Sequence, residues 1–250
     1  MKIKLASSYG FCFGVKRAIK IAENTKNAST IGPLIHNNEE INRLRENFNV
    51  KTLHDISEAK DVDKAIIRTH GIPKKDLETL VKSDVQVINA TCPYVTKPQE
   101  ICEKMSMEGY EIVIFGDADH PEVKGVESYA IHGAHVVQSV AELKKVKFKG
   151  NKIAVVSQTT RKISEFLEIT NYLETRYKEV RVFNTICNAT FENQDAAREL
   201  AKEADVVIVI GGKNSSNTKQ LHSICKEYCE DSFLVESDKD LDPAWFAGKT

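Results

Sequence analysis

The chain has 250 residues, 35 Lys and Arg against 36 Asp and Glu, and a net charge of −1. That balance supplies no general field toward nucleic acid or anionic membrane. A hydrophobic content of 41% is enough for a sizeable core. No run approaches the roughly 18 apolar residues of a membrane span, and Lys16-Arg17 interrupts the N-terminal segment before an apolar leader could form. Six cysteines in that setting read as reduced cytosolic thiols: packing residues, metal ligands or nucleophiles.

Short β-rich runs alternate with amphipathic stretches along the whole chain. The strands are expected at Lys2–Ser7, Lys64–Arg68, Val85–Asn89, Glu111–Phe115, His135–Gln138, Lys152–Ser157, Val180–Asn184, Asp205–Ile210 and Phe233–Glu236. Helices are expected over Val15–Glu23, Glu39–Glu46, Lys74–Val81, Pro98–Met107, Ile163–Tyr177, Gln194–Lys202 and Thr218–Tyr228. The alternation predicts an α/β fold with parallel sheets. A weak repeat runs through it. Val87 to Cys92 and Val182 to Cys187 both read as a strand, then Asn-x-x-Cys, then a loop and a helix. The N-terminus gives a looser copy, with Cys12 after an expected strand. Each of these cysteines thus falls in its own α/β unit.

In open parallel sheets, ligands collect at the loops after the carboxyl ends of strands. Those loops here are Gly32–Asn37, Thr69-His70-Gly71, Gly116–Glu122, Gln158-Thr159-Thr160 and Gly211–Thr218. Taken singly, Cys12, Cys92 and Cys187 are as well explained by packing, the usual state of a free thiol. As a set at strand ends they suit an open metal centre better than structural zinc, which takes four ligands and often a C-x-x-C pair that is absent here. Three thiolates on a [4Fe–4S] cluster would leave one iron for an oxygen ligand. Cys102, Cys225 and Cys229 read as packing residues.

Asp119-His120-Pro121-Glu122 is a good helix start, and equally a place to fix a proton-donating Glu122, with Thr159 relaying through its hydroxyl. His36 and His70, beside glycines, suit an anion or are simply satisfied loop histidines. Gly212–Thr218 places glycine N–H groups, hydroxyls and amides before a helix, which suits a phosphate. No G-x-G-x-x-G or Walker loop occurs, so a phosphate without a nucleotide is expected.

These stretches, with Gly10–Val15, Ala90–Thr96 and Asn184–Thr190, run in order from residue 10 to residue 218. Together they resemble the 4-hydroxy-3-methylbut-2-enyl diphosphate reductase family of LytB type. The resemblance implies a trefoil of three α/β units around a central [4Fe–4S] cluster, with units over 14–97, 98–190 and 1–13 joined by 191–250. It implies Cys12, Cys92 and Cys187 as cluster ligands. It places His36, His70, Ser215, Ser216 and Asn217 at a diphosphate, and His120, Glu122 and Thr159 at the allylic hydroxyl. The implied reaction is reductive dehydroxylation to isopentenyl and dimethylallyl diphosphates, in the cytoplasm, with electrons from a ferredoxin or flavodoxin. The family pattern also implies a further strand and a serine-bearing loop after Thr250, and a tyrosine where this chain has Asn188.

Three rival readings are weaker. A quinolinate synthase type of cluster enzyme would want more cationic anchors for a dicarboxylate. A radical S-adenosylmethionine enzyme would need C-x-x-x-C-x-x-C. A metal or redox sensor would leave Glu122 and the Gly212–Thr218 loop without a common purpose.

Overall fold

The computed structural model describes residues 2–249. A first sheet is built from β1 (Ser29–Ile31), β2 (Lys51–Leu53), β3 (Lys64–Ile67) and β4 (Gln86–Asn89), all parallel and ordered β2-β1-β3-β4. The second sheet contains β5 (Glu111–Phe115), β6 (Ala134–Val137), β7 (Lys152–Ser157) and β8 (Glu179–Val182). Its order, β6-β5-β7-β8, repeats that of the first, again wholly parallel. A third sheet pairs β9 (Val207–Ile210) with β10 (Ser232–Val235) in parallel. The weak sequence repeat is therefore a repeat of topology.

The helices are α1 (Phe13–Asn24), α2 (Asn38–Phe48), α3 (Lys74–Val81), α4 (Pro93–Met107), α5 (Pro121–Glu127), α6 (Val140–Leu143), α7 (Ile163–Glu174), α8 (Asn188–Ala201) and α9 (Ser216–Tyr228). They cover both faces of the first two sheets, which is why the central strands β3, β5 and β7 are apolar without alternation. The two-residue period instead distributes side chains between two cores. On β5, Ile112 and Ile114 enter one core with Cys102 and Val156, while Val113 and Phe115 enter the other with Val155 and Phe166. On β3, Ile66 packs with Ala18 and Ala22 of α1, and Ala65 and Ile67 face Leu80 of α3. Phe115 is fully buried, so truncation to alanine there would cost about 3–5 kcal/mol. The third sheet has a smaller core of Ala197, Ala201, Val207, Val209, Cys225 and Cys229.

Several expectations need correction. Lys2–Ser7 forms no strand; its alternating Ile3 and Leu5 are 79% and 66% exposed and pair with nothing along the backbone. Period-2 patterning specifies a strand only where a partner strand accepts it. The helices expected from Pro98 and Gln194 start earlier, at Pro93 and Asn188. Pro93 takes the first helical position, where a missing N–H costs nothing, and Pro98 lies inside the helix. The strand β2 and the short helix α6 were not expected at all.

Candidate active site

In both four-stranded sheets the strand order reverses between the first and third strands in sequence, and the crevice at that switch point is where α/β sheets hold ligands. In the first sheet the loops after β1 and β3 carry His36 and His70. They are clamped together by Thr69, whose hydroxyl and N–H both donate to the Leu34 carbonyl, at 2.6 and 3.2 Å. In the second sheet the loops after β5 and β7 carry His120, Glu122 and Thr159. Here the Gln158 N–H donates to the Phe115 carbonyl at 2.8 Å, and the Asp117 N–H to Gln158 Oε1 at 3.0 Å.

The fourth strand of each sheet delivers a cysteine by the same device. Asn89 Oδ1 accepts from the Thr91 N–H at 2.9 Å, and Asn184 Oδ1 from the Ile186 N–H at 3.2 Å. These are Asx turns, which is what the Asn-x-x-Cys repeat encodes. The Cys92 N–H then donates to the Thr69 carbonyl at 3.0 Å and the Cys187 N–H to the Thr159 carbonyl at 3.1 Å. Cys12, Cys92 and Cys187 are each the residue that caps a helix, α1, α4 and α8, with extended backbone and no side-chain cap bond. All three cysteines thus sit at the N-terminal ends of helices.

The three thiols converge. A Cβ on Gly14 would lie 2.5 Å from Cys92 Sγ and 4.0 Å from Cys12 Sγ. Burial pushes the Cys92 thiol up, and its neighbours Cys12 and Cys187 push it further. Cys187 is likewise raised, first by burial, and with Cys12 and Glu122 adding to it. Thr190 moderates this shift, with its Oγ1 3.0 Å from Cys187 Sγ. Cys102, Cys225 and Cys229 are buried in apolar cores, as expected of packing thiols.

Glu122 is 2% exposed, and Thr159 donates to both its oxygens, from N–H at 2.6 Å and from Oγ1 at 2.8 Å. Burial outweighs these two bonds and raises the carboxyl to about 6. His120 caps α5, its Nδ1 accepting from the Glu122 N–H at 3.2 Å. That bond fixes the neutral tautomer with the proton on Nε2. Burial, then His36, and beyond them Arg68 and Lys219 hold His120 down at about 4, with Asp117 opposing.

His36, His70 and His120 form a tight group, with ring centroids 4.5, 5.6 and 5.3 Å apart. Burial keeps His70 well below its ordinary value, and lowers His36. His36 Nε2, His70 Nδ1 and Asn217 Oδ1 are buried with no hydrogen-bond partner. One nitrogen from each histidine lies within 4.8 Å of the others. That is close enough for the three imidazoles to share one bound ligand.

The third unit reaches this site through the loop after β9. A Cβ on Gly212 would strike the His36 carbonyl, so only glycine permits this approach. Ser216 Oγ lies 2.8 Å from Thr160 Oγ1 and 3.4 Å from Gln158 Nε2. Ser215 Oγ also caps α9, accepting from the Thr218 N–H at 3.3 Å, which leaves its O–H as a donor. The sequence reading missed Arg68 and Lys219, whose charges lower His36 and His120. Arg68 was adjacent to the Thr69-His70-Gly71 stretch, the one signal available.

A family model described as "LytB protein" matches residues 3–250. The 4-hydroxy-3-methylbut-2-enyl diphosphate reductase of Campylobacter curvus is 69% identical over 249 residues, covering 100% of this chain and 90% of that protein. That of Sulfurimonas denitrificans is 62% identical with the same coverage. A solved (E)-4-hydroxy-3-methyl-but-2-enyl diphosphate reductase, described as the terminal enzyme of the non-mevalonate pathway, is 41% identical with a TM-score of 0.71, covering 99% of this chain and 90% of that one. The E-1-hydroxy-2-methyl-but-2-enyl-4-diphosphate reductase of Plasmodium falciparum is 28% identical with a TM-score of 0.89, over 96% of this chain and 78% of that one.

Proposed function

This chain belongs to the LytB protein family, and we infer that it reduces 4-hydroxy-3-methylbut-2-enyl diphosphate to isopentenyl and dimethylallyl diphosphate. The observation that carries this reading is the position of Thr159. Its carbonyl accepts from the Cys187 N–H and its hydroxyl and N–H hold Glu122, so one residue couples a cysteine centre to a buried acid. The acid is tied in turn to the histidine group, because its N–H donates to His120 Nδ1 at 3.2 Å.

Cys12, Cys92 and Cys187 are the residues that would hold a [4Fe–4S] cluster, and the donor set fits it. Cys92 and Cys12 close round Gly14, whose Cβ would fill the cradle, and Cys187 neighbours Cys92, so three thiols would leave one cluster iron without a protein ligand. When bound, the cluster supplies the electrons and an iron open to the substrate oxygen. We place three α/β units around it, over 14–97, 98–190 and 1–13 with 191–250.

The chain's own residues do the rest. Overall, an allylic C–OH bond is replaced by C–H, consuming two electrons and two protons and releasing water. His36 and His70 offer neutral N–H donors to the diphosphate, with Ser215, Ser216 and Asn217 closing round it, while His120 stands with Glu122 and Thr159 at the hydroxyl. Neutral donors bind the anion without fixing buried charge, and Arg68 and Lys219 add a longer-range pull. Glu122, protonated up to about pH 6, gives its proton to the departing hydroxyl, which is otherwise a poor leaving group. Thr159 holds the carboxyl in place. The electrons come from a ferredoxin or flavodoxin, and a reducing cytoplasm suits both the thiols and the cluster.

Purified without oxygen, the protein is expected to be brown, with iron and sulfide in the ratio of a [4Fe–4S] cluster. Replacing any of Cys12, Cys92 or Cys187 by alanine should remove the colour. A colourless, zinc-loaded, air-stable protein would contradict the assignment.

A further inference from the structure

Exposed aromatic residues that neither the core nor the diphosphate site uses flank Cys12 and Cys92. Tyr9, Phe11 and Phe13 are 69%, 39% and 64% exposed on either side of Cys12, and Tyr94 is 45% exposed beyond Cys92. The starts of α1 and α4 lie side by side: Gly14 abuts Cys92, and Arg17 Nη1 donates to the Thr91 carbonyl at 3.2 Å. Phe13, Lys16, Arg17 and Lys20 are spaced to share one face of α1, and Tyr94 and Lys97 one face of α4. Lys16 and Lys20 are exposed and have no acidic partner among the described residues, whereas Lys97 lies 3.8 Å from Glu100. The result is an aromatic ridge with a lysine border, set over a part-exposed Cys12.

We propose that this ridge is the docking surface of an acidic one-electron carrier protein. The proposal rests on the reductase reading, which requires two electrons from outside a chain that has no dinucleotide-binding loop. A carrier must bring its redox group close to the cysteines and then leave. A small aromatic contact with a charged rim suits such a transient encounter, since the rim steers approach and the limited area permits release. The whole chain carries a charge of only −1, so the lysines act as a local guide to this face. A second copy of the chain is the poorer occupant. A two-fold contact would bring the lysines of both copies into one interface, and like charges gathered there oppose it.

The test uses the cluster-loaded enzyme, unaltered and as Lys16→Glu with Lys20→Glu, and separately as Tyr9→Ser. Each is titrated with oxidised flavodoxin by anaerobic calorimetry at low and high salt. The unaltered enzyme should bind, more weakly at high salt. The charge reversal should weaken binding at least about tenfold, and Tyr9→Ser should weaken it measurably. Iron content, and turnover driven by dithionite, should be unchanged in the lysine variant. Equal flavodoxin affinity in all three proteins overturns the proposal. So does concentration-dependent dimerisation of the unaltered chain that the lysine variant abolishes. Absence of dithionite-driven turnover in the unaltered enzyme contradicts the reductase reading alone, because docking is read by binding.

Discussion

Thr159 holds Glu122 by both carboxylate oxygens, at 2.6 and 2.8 Å, inside a site where Glu122 is 2% exposed. A carboxyl with no cation at hand and two donors in place is a positioned acid, raised to about 6 by burial. The sign follows directly. Below about pH 6 the acid holds its proton, and above it the protonated fraction falls about tenfold per unit. Turnover limited by this proton should therefore decline as pH rises past about 6. Glu122→Gln should lower kcat by about 10²–10⁴ and erase that limb, with iron content intact. A pH profile of kcat for both proteins checks this.

The hydroxyl of Thr159 lowers the Glu122 value, because it bonds the ionised form. Thr159→Val should move the descending limb to higher pH and reduce turnover about tenfold. Thr159→Ser should restore both. Equal profiles for the valine and serine variants would remove the hydroxyl from the account.

Gly14→Ala should fold and fail to load. Its new Cβ would sit 2.5 Å from Cys92 Sγ, far inside the van der Waals limit, so the thiol must leave the cradle. Circular dichroism should be unchanged, while iron per chain drops sharply. Cys102→Ala is the complementary case. It removes a fully buried sulfur from the core of the second unit and should cost about 1–2 kcal/mol of stability, with iron content unaffected.

His120 is neutral at pH 7 because burial lowers it to about 4. The unfolded chain takes up that proton near pH 6.5, the folded chain only near 4. Between those values the unfolded state binds more protons, so stability falls as pH falls, by about 3 kcal/mol for this residue in full. Cluster-free His120→Gln should show a flatter dependence of urea unfolding on pH between about 6.5 and 4. An unchanged slope would show that the imidazole titrates normally.

The parts of the fold that were legible in the sequence are those whose pattern matches their burial. Glu111–Phe115, Lys152–Ser157 and Lys74–Val81 have the expected bounds, because both faces of the two strands and one face of the helix are filled. Lys2–Ser7 looked as good locally and formed nothing, since pairing is not a local property. Lys51–Leu53 was too short to signal a strand. The site was legible as strand ends, and the Asn-x-x-Cys repeat was visible before its Asx turn gave it a cause. What the sequence left open was angular: that each cysteine caps its helix, and that Arg68 and Lys219 act on the histidines. Those depend on how the units meet.

The reductase account is tested most directly by supplying the anaerobically purified enzyme with 4-hydroxy-3-methylbut-2-enyl diphosphate and dithionite, and following products. The account predicts consumption of the hydroxylated diphosphate, with isopentenyl and dimethylallyl diphosphates formed, and strong suppression in Glu122→Gln. Iron-loaded enzyme that leaves the diphosphate untouched, or a Glu122→Gln variant that turns it over at the normal rate, would contradict it.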